Sequence, residues 1–89
     1  MEIEVLLFGR FREIAGTRQQ VLTVQEGARL SDVLEQLGEI YGSGFGAEVK
    51  RRGWVRILIN GREYVLLDGM ETLLKHNDQI VILPTIGGG

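Results

Sequence analysis

Few residues in this 89-residue sequence could do chemistry unaided: there is no cysteine, one histidine (His76) and two serines, Ser31 and Ser43, with no evident nucleophile and base pair. Without cysteine there is no disulfide, thiolate metal site or cysteine nucleophile. His76 sits in the polar run His76-Asn77-Asp78 with no second ligand nearby, so it reads as an exposed turn residue rather than a metal or catalytic site. What remains is the C-terminus, where Ile80-Val81-Ile82-Leu83-Pro84-Thr85-Ile86 runs into Gly87-Gly88-Gly89. At average usage three such glycines would arise by chance about 0.03% of the time. Lacking Cβ, Gly88 and Gly89 can thread a narrow channel and leave a carboxylate unhindered on every side, as suits a substrate tail. Extended from Pro84 to Gly89, the segment reaches about 20 Å, far enough to enter another protein's active site while the body docks outside.

The elements that must aim this tail follow from hydrophobic period and turn chemistry. Ile80 to Leu83 is a nearly all-apolar, β-branched run that reads as a central strand, and Pro84, which has no N–H for a ladder, ends it. Residues 2–8 alternate as a strand, with Ile3, Val5 and Leu7 on one side and Glu2, Glu4, Leu6 and Phe8 on the other. Residues 9–17 read as a connection with a short helical turn anchored by Phe11 and Ile14 and ended by Gly16, and residues 21–24 as a second strand. Leu30, Val33, Leu34, Leu37, Ile40 and Tyr41 recur at helical spacing, so residues 30–41 are predicted to form the main helix. Ser31 and Asp32 suit its first turn, and Gly42 stops it. Asn60-Gly61 predicts a type I′ hairpin turn between residues 55–59 and 62–66. Residues 70–74 read as one helical turn presenting Leu73 or Leu74 inward, and Asn77 as the left-handed residue of the final turn.

This order predicts an α+β fold: one domain over residues 1–86, with a mixed five-stranded sheet, one main helix on one face, and residues 87–89 as a flexible glycine tail. With Ile3, Val5, Leu7, Ile57, Ile59, Ile80 and Ile82 facing the helix, Leu6, Phe8, Leu58, Val81 and Leu83 face away beside Glu4, Arg56 and Glu63. An apolar patch rimmed by charge is a docking surface, and it meets the tail at Leu83-Pro84.

Other features carry less. Gly42, Gly44 and Gly46 follow a helix rather than a strand, unlike a dinucleotide loop. Lys50, Arg51, Arg52 and Trp54 form a small basic patch read as a solvated loop, because the formal net charge is −2 and no nucleic-acid motif accompanies it. The acidic start Met1-Glu2-Ile3-Glu4 is unlike a signal peptide, and no apolar run is long enough for a bilayer, so a cytoplasmic protein is expected.

These residues together resemble the ubiquitin-like β-grasp sulfur carriers, specifically the small subunits of molybdopterin synthase (the MoaD/ThiS family). The resemblance spans nearly the whole chain. It rests on F-R-E-I-A-G-T at 11–17, A-R-L-S-D-V-L-E-Q-L at 28–37, I-L-I-N-G-R at 57–62, L-K-H-N-D-Q-I-V-I-L-P-T-I at 74–86 and the glycine end. Two departures stand out: Thr85 replaces a second proline and Gly87 adds a third glycine, and His76-Asn77-Asp78 stands where Asp-Gly-Asp is common. The resemblance implies a carrier that does not catalyse by itself and binds no cofactor. A ubiquitin-activating-type enzyme would use ATP to adenylate the Gly89 carboxylate, a sulfur donor would displace AMP, and the thiocarboxylate would deliver sulfur to a pterin precursor inside the large synthase subunit, two carriers serving one dithiolene. Phe8, Leu58, Leu83, Pro84 and Ile86 are the expected partner contacts, with Phe8 and Leu83 at family contact positions and Leu58 from strand phase alone. No membrane or direct nucleic-acid partner is expected. Two alternatives stay open: sulfur carriage for tRNA thiolation or attachment to target lysines, and a binding module with an incidental tail.

Overall fold

The computed structural model describes residues 1–51 and 55–85. Its elements are β1 (Glu2–Leu7), α1 (Gly9–Ala15), β2 (Gln19–Thr23), α2 (Leu30–Tyr41), α3 (Ser43–Lys50), β3 (Val55–Ile59), β4 (Arg62–Glu63) and β5 (Gln79–Pro84), with 3₁₀ turns at Tyr64–Leu66 and Gly69–Glu71. The strands form one sheet in the order β2-β1-β5-β3-β4. β1 and β5 are parallel, and the other pairs are antiparallel. The chain's last strand is thus the central one, as its β-branched run requires.

The predicted strand phase holds. Ile3, Val5, Leu7, Ile57, Ile80 and Ile82 are fully buried, and they share one core with Leu30, Val33 and Leu37 of α2. Helix α2 begins and ends where the periodicity places it, and the Asp32 carboxylate accepts the Arg29 N–H at 2.8 Å across its first turn. Ile40 departs from the expected stripe: it is 49% exposed, whereas Leu34 and Tyr41 pack partly against the core. The Tyr41 hydroxyl donates to Gln20 Oε1 at 2.8 Å, and burial raises its pKa above the ordinary tyrosine value.

Three differences from the sequence expectation have physical causes. Residues 43–50 form a helix, α3, where the sequence reading placed no element and took Lys50 into a solvated loop, so Gly44, Gly46 and Lys50 are helical. Two glycines lower its intrinsic propensity, and tertiary packing overrides them: Phe45 is fully buried, edge-on to Phe11 at 5.6 Å and tilted against Tyr41 at 5.4 Å. The return strand after Asn60-Gly61 lasts only two residues before the 3₁₀ turn, which leaves Val65 and Leu66 exposed rather than paired. β2 starts at Gln19, two residues before the expected boundary, and Val21 faces solvent.

The turns follow their residue types. Asn60 (φ 52°) and Gly61 (φ 83°) supply the paired positive angles of the hairpin, and Asn77 (φ 71°) is left-handed as expected. Leu74, not Leu73, is the one that turns inward.

Candidate functional site

Pairing across the sheet assembles the outward face from residues distant in sequence. Val81 lies between Leu6 on β1 and Leu58 on β3, with Gln19 beyond Leu6 and Glu63 beyond Leu58. Toward the C-terminal end of β5, Leu83 pairs with Arg56 and Pro84 with Val55. The parallel ladder continues past β1, because the Phe8 N–H donates to the Ile82 carbonyl at 3.0 Å. Phe8 is 40% exposed, and Leu6, Leu58, Val81 and Leu83 are half-buried, unlike their sealed neighbours on the other face. The face is therefore apolar along its centre and open.

Its rim is charged and internally matched. Arg56 pairs with Glu63 across β3 and β4. On the opposite flank Glu4 accepts hydrogen bonds from Gln79 at 2.8 Å and from Gln19. These partners hold the long polar side chains along the margins of the Leu6, Leu58 and Val81 row.

Phe8, Leu58, Leu83 and Pro84 all fall on or beside this face, where the sequence reading put them. Ile86, Gly88 and Gly89 lie outside the described residues, as do Arg52 and Trp54 of the basic stretch. Lys50 ends a helix and Arg51 pairs with Glu48, so that stretch is more structured than the expected solvated loop. His76 is exposed at the opposite end of β1, its Nδ1 accepting the Glu2 N–H at 3.0 Å, and among the described residues no cluster of His, Asp and Glu could hold a metal ion.

Two residues that sequence reasoning did not single out shape the chain's exit from the sheet. Arg12 donates from Nε to the Leu7 carbonyl at 3.2 Å, and its guanidinium sits 5.2 Å from the Phe8 ring centroid, steadying the exposed aromatic. Gly9 (φ 56°) opens α1 directly against the Pro84 ring. A glycine at a strand's end was a visible signal for a special backbone angle; nothing in the sequence marked Arg12.

Comparisons with known proteins fit this architecture. The chain is 38% identical over 94 aligned positions to small archaeal modifier protein 3 of Haloferax volcanii and 30% identical over 89 to the molybdopterin synthase sulfur carrier subunit of Chlamydomonas reinhardtii, covering the whole of each. The solution structure of small archaeal modifier protein 1 from Methanosarcina acetivorans superposes with a TM-score of 0.82 at 37% identity, covering 99% of this chain and 96% of that one. The model of the ThiS family matches residues 5–89. With its mixed five-stranded sheet in the ubiquitin-like β-grasp arrangement, this chain belongs to the ThiS family of sulfur carriers.

Proposed function

We propose that the protein carries sulfur on Gly89 for molybdopterin biosynthesis. The observation that carries this reading is the continuity of the open apolar face with the point where β5 ends at Pro84, three residues before a glycine run. A partner seated on Phe8, Leu58 and Leu83 receives the chain's last residues directly into its own active site.

The chemistry asks little of the carrier. A free carboxylate is a poor electrophile, so an adenylating enzyme joins a Gly89 carboxylate oxygen to the α-phosphorus of ATP and releases pyrophosphate. A hydrosulfide-equivalent donor then attacks the acyl carbon, and AMP leaves with the electrons of the broken C–O bond. The resulting thiocarboxylate is the sulfur nucleophile offered to a pterin precursor in the large synthase subunit, which supplies the catalytic groups. Gly88 keeps the channel clear because it projects no side chain. The absence of cysteine in the sequence agrees with sulfur carried on the carboxylate instead of on a thiol.

A second reading has its own support: a relative with 38% identity is named a small archaeal modifier protein. In that case the activated Gly89 acyl group goes to a lysine amine on a target protein, forming an amide. The same activation serves both readings, and the acceptor separates them.

The test is intact-mass analysis after incubation with the cognate adenylating enzyme, ATP and a sulfur donor. An oxygen-to-sulfur exchange localised to Gly89 is expected. Offering the product to pterin precursor with the large subunit, to tRNA or to a protein mixture then identifies the acceptor. Formation of neither an adenylate nor a thiocarboxylate, with the enzyme shown competent on another carrier, removes both readings and leaves a binding module.

A further inference from the structure

Among the described glycines, Gly9 is the one with a neighbour where its side chain would be. A Cβ built there would lie 2.7 Å from Pro84 Cγ and 3.0 Å from Cδ, whereas Gly16, Gly27, Gly42, Gly61 and Gly69 have positive φ angles in open space. Those five need glycine for backbone freedom. Gly9 needs it for close approach as well.

We propose that Gly9 is a positioning residue: its bare Cα lets α1 seat directly on the Pro84 ring, and this contact fixes where and in which direction the chain leaves β5. The inference rests on the sulfur-carrier reading for its functional consequence, because a substrate tail is useful only if docking aims it.

The surroundings decide which partner would give way. Helix α1 is held from three sides: Phe11 is fully buried against Phe45, Arg10 Nε meets the Glu48 carboxylate at 3.2 Å, and Arg12 Nε bonds the Leu7 carbonyl. Glu48 is itself buried and also receives Arg51 at 3.4 Å, so the α1 to α3 contact is anchored. β5 is paired on its β1 edge as far as Ile82 with Leu7, and on its β3 edge through Ile82 with Ile57, Leu83 with Arg56 and Pro84 with Val55. Beyond Ile82, a single Phe8 N–H continues the β1 side, and Pro84 itself has no N–H to contribute. A methyl group on Gly9 therefore bears on the end of β5, at Pro84 and Thr85, rather than on α1, while Leu83 stays in register with Arg56.

The experiment is a cycle of Gly9→Ala and Pro84→Ala, read by thiocarboxylate formation and by NMR. Pro84→Ala deletes the Cγ and Cδ atoms that a residue-9 methyl would strike, leaving a Cβ at 4.0 Å, an ordinary contact. In the native background Gly9→Ala is expected to lower kcat for adenylation about tenfold with KM within about twofold, because Phe8, Leu58 and Leu83 keep their places on the docking face while the reacting carboxylate is misplaced. In the Pro84→Ala background the same substitution should change kcat less than about twofold. An equal loss in both backgrounds means that left-handed strain alone is responsible, and overturns the proposal.

NMR keeps the two readings distinguishable. The Thr85 N–H residual dipolar coupling should change in Gly9→Ala while that of Leu58 does not, and the change should shrink in the double variant. If the native protein forms no thiocarboxylate, the sulfur-carrier reading fails, yet these couplings still judge the contact. An unchanged Thr85 coupling sinks the positioning role whatever the activity. Should Gly9→Ala alone fail to fold, recovery of folding in the double variant supports the clash, and no recovery overturns it.

Discussion

The two faces of the central sheet are built by the same strands and differ by one residue of phase. Ile80 and Ile82 are fully buried under α2, while Val81 and Leu83, their immediate neighbours, are half-buried on the open side. Both sets are apolar, so hydrophobicity does not distinguish them; the covering layer does. One face spends its apolar area on the fold, and the other leaves it available for a partner. Because side chains alternate with a period of two, the two roles can be changed separately by substitutions one position apart.

The largest expected effect tests that separation within the fold. Ile80→Ala removes buried atoms from the central strand and should cost about 2–5 kcal/mol, enough to threaten folding of so small a domain. Val81→Ala, one residue along, should cost about 1 kcal/mol or less because half its surroundings are already solvent. Denaturant midpoints at constant m-value measure both. Equal costs would make the open face part of the core.

Leu83→Glu moves the test to binding. A carboxylate on the open face stays hydrated in the free protein, so stability should change by less than about 1 kcal/mol. Buried against a partner it loses that hydration, and affinity should fall at least tenfold, about 1.4 kcal/mol. Calorimetric titration of the variant against the adenylating enzyme or the large subunit, alongside its thermal melt, gives both numbers. Unfolding of the variant would reverse the face assignment.

A smaller effect is expected on the covered side of the molecule at Glu48. Its carboxylate is buried, but the arginines it binds, Arg10 and Arg51, are 61% and 49% exposed at their side chains. Glu48→Gln keeps the shape and one acceptor, and both cations can turn to water, so the loss should be about 1 kcal/mol rather than the several expected for a fully buried pair. Chemical denaturation at low and high salt would check it. A much larger loss would show that α3 is fastened by charge more than by Phe45.

Most of this arrangement was legible in the sequence because alternation and the 3.6-residue period are strong signals, and the strands that carry the open face obey them. Asn60-Gly61 and Asn77 were readable for the same local reason: few residues take positive φ without cost. Helix α3 was not, since Gly44 and Gly46 argue against a helix and the stabilising contacts of Phe45 come from Phe11 and Tyr41, elsewhere in the chain. The shortness of β4 was hidden too, because Tyr64-Val65-Leu66 has strand composition and only the observed pairing shows that the ladder stops at Glu63. At the candidate site, strand phase placed Leu58 and Leu83 correctly, whereas Gly9 against Pro84 is a contact between residues 75 positions apart that no local pattern encodes.

The smallest effect concerns the rim. Arg56 and Glu63 pair across β3 and β4 at the edge of the open face, both partly exposed. Exchanging them, as Arg56→Glu with Glu63→Arg, keeps an ion pair but inverts the charge order that an approaching partner meets. An exposed pair contributes about 0–1 kcal/mol, so the melting temperature should hardly move. Association with an adenylating enzyme should nevertheless slow, and lose part of its salt dependence, because rim charges act on the encounter rate more than on the final complex. Stopped-flow rates at two ionic strengths would resolve this. If the exchange instead lowers stability by more than about 1 kcal/mol, the pair is holding the two-residue strand β4 in place. The open face would then depend on its rim for structure, and the clean division between the two faces would end at β3.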